Sequence, residues 1–468
     1  MPVLFKKFLL EALSIAVSAG VALSPPPAGL ETEAMWVAGL LVWTLLNLIL
    51  RFIPDFVVLM MMSCMWVVLH IMPFQQAFES FTGTTVWLLV GALGIGTAVT
   101  KSGLLTRVAL CTMKLCSPTF SGQVFAMLAS GVVLSPFIPS TTAKVAVAGA
   151  LATDVGERLG LEDRSWGMSG IWCAMYTSYS LMSPILMSAS YFSYVILNLM
   201  PEHIRGELTL VRWSVAMLPW GVVTFLGAFA AISILYKPKH KIEISREDIN
   251  EMLHDLGPVT RDEKITIAVV GVCMVCWVFE RQLDIPSVVP ALMGMGLLMS
   301  FGVINKVDYN THISWSLIAF VGCAINMTHA ISVVGIDKWI GDNFASSLAG
   351  VISNPYLFLT AVAGAMVATR FIIIDPLTCF TLYIVVLSPF CEAGGISPWI
   401  LAMCTYIFCQ PWFARYQNVN YLAGFASAGG DDKLDFAKSV RYCFAYNLVA
   451  LTGVLISVPY WKLLGFIK

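Results

Sequence analysis

Residues 135–149 read SPFIPSTTAKVAVAG: two prolines, two serines, two threonines and a lysine interrupt an otherwise apolar run. Backbone N–H and C=O groups cannot face hydrocarbon unpaired, so irregular chain at membrane depth is buried in protein or lines a watery cavity. Pro136 and Pro139 end one helix by removing donors, and Ser140, Thr141 and Thr142 bring side-chain oxygens that cap the next. That second helix then aims free N–H groups and its positive dipole end at the centre, an anion site built from backbone with hydroxyl donors beside it. Lys144 falls about one turn into the same helix. An ammonium at this depth costs at least about 2.5 kcal/mol on insertion scales, which marks Lys144 as functional, with an anionic partner, rather than as a lysine reaching for the interface.

The rest of the chain agrees with a membrane setting. Of 468 residues 58% are hydrophobic and 12% charged, and the mean hydropathy is +0.81. That is too little charge to cover a soluble domain of this length. A net charge of -1 favours neither an acidic nor a basic partner, and no basic face or motif points to nucleic acid. The cysteines are scattered through apolar runs; the pair Cys273 and Cys276 has no second pair or histidine nearby, so they read as packing residues. The six histidines do not pair at a useful spacing, and no nucleophile–base or metal set appears, which excludes an enzyme. The N-terminal stretch has Glu11 inside its apolar run and no small-x-small cleavage site, so it reads as a first helix.

Spans of roughly 20 apolar residues are expected at 8–24, 34–50, 55–72, 84–100, 166–200, 211–236, 264–280, 286–303, 312–334, 398–428 and 442–460, about eleven crossings. Two more apolar stretches, 118–156 and 344–391, are each broken in the middle. With the N-terminus in the cytoplasm, the inside receives Arg51, Lys101, Arg107, Lys114, Arg158, Arg164, Lys433, Lys438 and the soluble loop 237–263. This asymmetry satisfies the positive-inside rule only if 118–156 and 344–391 are re-entrant hairpins, the first opening inside and the second outside. The loop splits the chain into segments 1–33 (first helix and outer loop), 34–236, 237–263 and 264–468. Its halves are alike: TVWLLVGALGIGTAVTKSGLLTRVA (85–109) is similar to ISWSLIAFVGCAINMTHAISVVGIDKWI (313–340), and LSPFIPSTTAK (134–144) to ATRFIIIDPLT (368–378). The expected fold is therefore an all-α polytopic membrane protein of two inverted repeats, each with a hairpin and a broken helix, the sequence mark of a secondary transporter.

The second hairpin centre holds Arg370, Asp375 and Pro376. Arg370 and Asp375 read either as an internal ion pair or as a substrate-neutralising cation beside a carboxylate that takes a cation or proton. Two further interruptions follow the hairpins. AMYTSYSLMSPILMSAS (174–190) includes Ser188, and FCQPWFARYQNVNYLAGFASAGG (408–430) carries Gln410, Arg415, Gln417, Asn418 and Asn420. Scattered serines in membrane helices are often packing glue, but Arg, Gln and two Asn beside Pro and Gly read as an unwound helix facing water.

These phrases resemble the divalent-anion/sodium symporter family of the ion-transporter superfamily. SPPPAGLETEAMW (24–36) is similar to the family's opening after the first helix, AFESFTGTTVWLLVGALGIGTAVTKSGLLTRVAL (77–110) follows its Val-Trp-Leu, Val-Gly-Ala and Lys-Ser-Gly-Leu phrase, and PFIPSTTAK (136–144) resembles the hairpin phrase PSNTAR of its di- and tricarboxylate exchange branch. The resemblance implies a homodimer of scaffold and mobile transport domains, an elevator movement, and substrates such as succinate, malate, 2-oxoglutarate, citrate, tartrate or sulfate. The family's Ser-Asn-Thr falls on Ser140, Thr141 and Thr142, with threonine in place of asparagine, and the exchange branch's arginine falls on Lys144. Sodium-coupled members screen the substrate with sodium ions; exchangers use fixed basic side chains, a role the resemblance gives Lys144. The family's second Ser-x-Thr meets Asp375, Pro376 and Leu377 here, with Thr378 next and Cys379 where a histidine often follows.

The expected function is secondary active transport of divalent organic anions, C4-dicarboxylates or tricarboxylates, by exchange or cation-coupled symport. The expected substrate ligands are Ser140, Thr141, Thr142, Lys144, Thr378, Gln417, Asn418 and Asn420. The groups for charge compensation or coupling are Lys144, Asp375, Arg370 and Ser188. No cofactor is expected beyond sodium or a proton as coupling ion. The alternatives are transport of sulfate or another inorganic oxyanion, or arsenite or sodium–proton antiport. The expected partners are a small organic dianion, lipid and a second copy of the chain, and the absence of a transit peptide favours a bacterial inner membrane.

Overall fold

The computed structural model describes residues 3–50, 53–238, 246–336, 338–339, 343, 352 and 354–468. Arg51 of the charge argument, residues 239–245 of the central loop and the opening of the second expected hairpin at 344–351 and 353 lie outside the described residues. Among the described residues the chain is helical throughout, with one isolated antiparallel bridge joining Ile396 and Ile467.

The first half runs α1 (Val3–Ala22), α2 (Thr32–Leu50), α3 (Asp55–Val68), α4 (Thr84–Lys101), α5 (Leu104–Leu115), α6 (Phe120–Leu134), α7 (Thr141–Arg158), α8 (Trp166–Tyr176), α9 (Tyr191–Leu199) and α10 (Leu210–Leu235). After α11 (Arg246–Asp255) the second half runs α12 (Arg261–Val278), α13 (Val288–Ser300), α14 (Lys306–His312), α15 (Trp315–Val333), α16 (Pro355–Thr369), α17 (Pro376–Ala393), α18 (Pro398–Cys409), α19 (Val419–Ser427) and α20 (Phe436–Leu463). The order helix, helix–break–helix, broken helix, long helix occurs twice. Contacts repeat with it: α4 packs on α13 and α15 on α3, α6 packs on α8 and α16 on α18, and the closing helices α10 and α20 pack along one another.

The chain is an all-α polytopic membrane protein. Among the described residues, seven segments are long and apolar enough to cross a membrane by themselves: five fall on expected crossings and two, Phe120–Phe137 and Pro376–Ala393, in the expected hairpins. Two of the six other expected crossings are interrupted helices. The stretch 166–200 is two short helices, α8 and α9, separated by one π-helical turn and two 3-10 turns over residues 177–189. The stretch 398–428 is likewise α18 and α19 around an unwound centre. Each piece alone is too short to span.

Side-chain caps hold the interrupted helices. Thr119 caps α6, Ser140 α7, Ser165 α8, Ser190 α9, Asn354 α16, Asp375 α17, Ser397 α18 and Asn418 α19, each accepting a backbone N–H of the first turn. The two halves lock where α7 crosses α19. A Cβ on Gly149 would lie 2.7 Å from the Gly424 carbonyl oxygen, so only glycine lets these backbones approach.

On one face of the molecule the charged turns gather. Lys433 pairs with Glu157 at 2.8 Å and Asp163 at 3.2 Å, and Arg158 reaches Glu251 of α11 at 3.5 Å. Arg107 donates to Glu263 at 2.6 Å and to the Gly257 carbonyl at 3.1 Å. Burial raises the Glu263 pKa, but the Arg107 guanidinium and the Thr260 N–H outweigh it and hold the carboxyl below its usual range.

Candidate functional site

The first break is knotted to the broken helix that follows it. After α6 a 3-10 turn carries Ser135 and Pro136, and the Pro139 carbonyl accepts from the Tyr191 N–H at 3.1 Å. Ser140 caps α7 by accepting from the Ala143 N–H at 3.4 Å, and Thr141 Oγ1 donates to Ser190 Oγ at 3.3 Å. Lys144 is fully buried. Its Nζ donates to the Ala189 carbonyl at 2.6 Å, Ser183 Oγ at 3.2 Å and Ser135 Oγ at 3.3 Å. Three donors meet three neutral oxygens: the charge is solvated by the protein without being cancelled by these partners. Ser188 is buried in the turn Met187–Ala189 that presents the carbonyl. The ammonium thus turns toward the unwound segment instead of extending beyond the tip.

The second break is built the same way with other residues. Arg370, at the end of α16, is buried; its Nε donates to the Cys409 carbonyl at 2.9 Å, one terminal nitrogen to the carbonyls of Ile373, at 2.8 Å, and Ile374, and the other to the Gln417 carbonyl. One guanidinium therefore ties the hairpin tip to both ends of the unwound stretch after α18. Asp375 caps α17, its carboxylate accepting from the Thr378 N–H at 2.7 Å, and Thr378 itself is buried.

The polar residues of 408–430 divide into two kinds. Gln417 is a backbone brace: its Oε1 accepts from the N–H groups of Phe413 at 2.6 Å and Ala414 at 2.8 Å, and its Nε2 donates to the Arg370 carbonyl at 3.3 Å. Asn418 braces too, donating to the Gln410 carbonyl at 2.6 Å and accepting from the Tyr421 N–H at 3.1 Å. Asn420 instead accepts from Thr142 Oγ1 and joins the first tip to the second broken helix. Arg415 leaves the site altogether: it pairs with Asp431 at 2.5 Å and lies over the Phe425 and Phe436 rings.

Tyr191 completes the junction, tied to Pro139 of the first tip and within electrostatic reach of Asp375 on the second. Ser140, Thr141, Thr142, Lys144, Ser188 and Asn420 therefore gather at one end, and Arg370, Asp375, Thr378, Gln417 and Asn418 at the other. Sequence reasoning missed Ser135, Ala189, Tyr191, Tyr406 and the role of Gln410, and took Ser183 and Ser190 as scattered serines of the 174–190 interruption. Tyr406 and Gln410 are fully buried, and among the described residues neither the Tyr406 hydroxyl nor the Gln410 amide closes a side-chain hydrogen bond. The Tyr406 hydroxyl faces those of Ser190, Ser193 and Ser183. A polar residue directly before proline, Ser183-Pro184 and Gln410-Pro411, is the signal that marks both breaks in the sequence.

The model of the sodium:sulfate symporter transmembrane region matches residues 6–467. The chain belongs to that family. Among curated relatives, spinach (Spinacia oleracea) chloroplastic dicarboxylate transporter 2 is 26% identical over 370 residues, 74% of this chain and 65% of the relative, so the chain spans just under two thirds of that protein. The putative malate transporter YflS of Bacillus subtilis is 22% identical over 345 residues, 72% of each chain, and Arabidopsis thaliana chloroplastic dicarboxylate transporter 1 is 21% identical over 487 residues, 99% of this chain and 85% of the relative. In fold the chain is similar to MtrF of Neisseria gonorrhoeae (TM-score 0.61, 12% identity, covering 98% of this chain and 94% of that one) and to the YdaH transporter of Alcanivorax borkumensis (TM-score 0.57, 14% identity, 99% and 98%). This member of the sodium:sulfate symporter family is a multi-pass membrane anion transporter and not an enzyme.

Proposed function

We propose that the chain is a secondary active transporter of small organic dianions, C4-dicarboxylates first and tricarboxylates next, working by exchange. The observation that carries this reading is the pair of buried cations, Lys144 and Arg370, each bound to the unwound segment beside its own hairpin tip. The family name includes sodium, a hard cation that takes oxygen ligands. In this chain the oxygens of Ser135, Ser183 and Ala189 are already taken by the Lys144 ammonium, and the carbonyls of Cys409 and Gln417 by the Arg370 guanidinium. Fixed charges thus do the work of co-bound sodium.

In this reading 34–236 and 264–468 are inverted repeats whose hairpins enter the membrane from opposite sides, with the N-terminus in the cytoplasm. The guest's carboxylates lie between Ser140, Thr141 and Thr142 on one side and Thr378 on the other, with Asn420 beside the first tip; Gln417 and Asn418 shape the cavity through the backbone they brace. Two unit charges about 7 Å apart at an effective dielectric of 20 attract by about 2 kcal/mol, enough for each fixed cation to hold one carboxylate. The hairpins and broken helices move as one body in an elevator step against the remaining helices, within a homodimer in a bacterial inner membrane.

The test is counterflow in proteoliposomes loaded with succinate or malate. Labelled external dicarboxylate accumulates in sodium-free medium, and Lys144→Ala abolishes this there. Accumulation of sulfate alone moves the assignment to inorganic oxyanions. Failure with every di- and tricarboxylate and with sulfate refutes the proposal.

A further inference from the structure

We propose that the Tyr406 hydroxyl is a substrate-binding group that, with Ser193, makes a carboxylate subsite beside Lys144; the inference deepens the dianion reading above and rests on it. Tyr406 lies in the last turn of α18, its ring edge-on to Phe192 of α9 at 5.6 Å between centroids and tilted against Phe380 of α17 at 6.3 Å. Those contacts hold the ring with its hydroxyl toward Ser183, Ser190 and Ser193 of the other broken helix. Tyr406 and Ser193 are fully buried, and among the described residues neither hydroxyl closes a hydrogen bond. Ser190 accepts from Thr141 Oγ1 at 3.3 Å and from the Phe192 N–H at 3.3 Å, and Ser183 accepts from Lys144 Nζ at 3.2 Å; among the described residues neither serine hydroxyl donates.

Packing does not account for this arrangement. An unpaired buried hydroxyl destabilises a fold, and phenylalanine at 406 would keep both ring contacts without that cost. One turn further along the same face of α18, Gln410 is fully buried with neither amide atom bonded among the described residues. The end of this helix thus carries two polar side chains that the fold leaves unmatched.

Charge says which partner fits. Lys144 has its three donors on the neutral oxygens of Ser135, Ser183 and Ala189, which solvate its charge without cancelling it. Ser183 joins the two groups, accepting from the ammonium and facing the phenol. A point lined by O–H donors and one residue away from an uncancelled positive charge repels a cation and suits an anionic oxygen acceptor. A carboxylate has about four lone-pair sites on its two oxygens, enough for Tyr406, Ser193 and the O–H of Ser190 together. Because Ser190 also bonds Thr141, the subsite adjoins the first hairpin tip. Its phenol comes from α18 and its serines from 183–193, so this carboxylate is held only while the two broken helices meet.

The experiment is calorimetric titration of the purified full-length protein with succinate and, in parallel, malate, citrate and sulfate, beside thermal unfolding without ligand. Tyr406→Phe keeps the ring and removes only the O–H. It is expected to bind succinate roughly tenfold to a hundredfold more weakly, the effect of one hydrogen bond to a charged group. Without ligand it is expected to unfold at the same temperature as wild type or higher, because an unpaired buried hydroxyl is gone. Ser193→Ala is expected to change both quantities in the same directions. Tyr236→Phe removes a phenol O–H that donates to the Lys438 carbonyl and is expected to do the reverse: a lower Tm with unchanged affinity. Wild-type affinity in Tyr406→Phe or Ser193→Ala overturns the proposal. So does a weaker affinity accompanied by a loss of Tm, or a Tyr406→Phe protein that does not fold, since either makes the hydroxyl a structural group. Absence of wild-type binding by all four anions removes the dianion reading itself, and this inference with it.

Discussion

Replacing Lys144 with alanine removes one fixed charge and uncovers an oxygen cage. The ammonium sits about one helical turn behind the N-terminus of α7, so a carboxylate at that end lies about 7 Å from Nζ. At an effective dielectric of 20 the nearer carboxylate loses about 2 kcal/mol and the farther one less, together about 3 kcal/mol, or roughly a hundredfold in Kd. The fold survives for a separate reason. Ser135 and Ser183 are rotatable hydroxyls, and the Ala189 carbonyl is the one acceptor that loses a strong donor, at 2.6 Å. That orphan costs about 1–3 kcal/mol, offset by no longer burying a charge. The same three oxygens then suit a small hard cation. Lys144→Ala is therefore expected to bind dianion about a hundredfold more weakly in choline buffer and to recover in sodium, while wild type is indifferent to sodium. Thermal unfolding across a succinate titration, with and without sodium, reads both effects. Unchanged sodium-free affinity in a folded Lys144→Ala protein refutes the charge argument, and a loss that sodium does not relieve refutes the cage.

Other perturbations separate bracing from binding. Arg370→Gln strips four carbonyls of a shared donor and is expected to lower stability by about 3–5 kcal/mol, with Arg370→Lys intermediate, since an ammonium has three donors and cannot fork between the tip and Gln417; denaturation in detergent measures it. Thr142→Val and Asn420→Ala each cut one bond between the halves, and a double-mutant cycle on dianion binding is expected to return a coupling of about 1 kcal/mol. Gly149→Val drives a side chain into the Gly424 carbonyl and is expected to cost about 1–3 kcal/mol and to slow transport. Glu263, whose folded pKa lies below the carboxylate range, contributes stability that is present above about pH 4 and is lost as pH falls through the folded value. Glu263→Gln should therefore flatten the acid limb of a Tm–pH curve.

What the sequence disclosed follows from what lipid forbids. A proline or polar cluster inside an apolar run has no neutral interpretation at membrane depth, so both tips and both helix interruptions stand out within a few residues of where they occur: Pro136–Thr142, 177–189, Arg370–Pro376 and 410–418. Direction was not legible. Lys144 reads as facing a guest, yet its three acceptors include Ser183 and Ala189, 39 and 45 residues away in the chain, and no local pattern encodes that approach. Gln417 and Asn418 read as ligands because amides in a membrane need partners; the structure spends them on the backbone their own segment leaves unpaired. Conversely, Tyr406 looks like any aromatic residue of an apolar helix, and its importance comes from three serines on the opposite half.

The two fixed cations also bear on why the proposed transport is exchange. Both are bonded to the hairpins and the segments around the breaks, so they travel with the site in any rigid movement of those elements. Loaded with a dianion, the two fixed cations of the moving body are matched by the two charges of the guest. Emptied, they are not, and moving uncompensated charge through a membrane potential adds about 2.3 kcal/mol per charge per 100 mV to the desolvation already opposing it. The empty carrier therefore returns slowly and the loaded one quickly. The expected signature is efflux of preloaded label that is slow into dicarboxylate-free medium and at least tenfold faster when external dicarboxylate is added, with the gap narrowing in Lys144→Ala without sodium because its empty site carries one fixed cation fewer. Equal rates with and without external substrate in the wild type would mean that the charges do not restrain the empty carrier, and exchange would then need another cause.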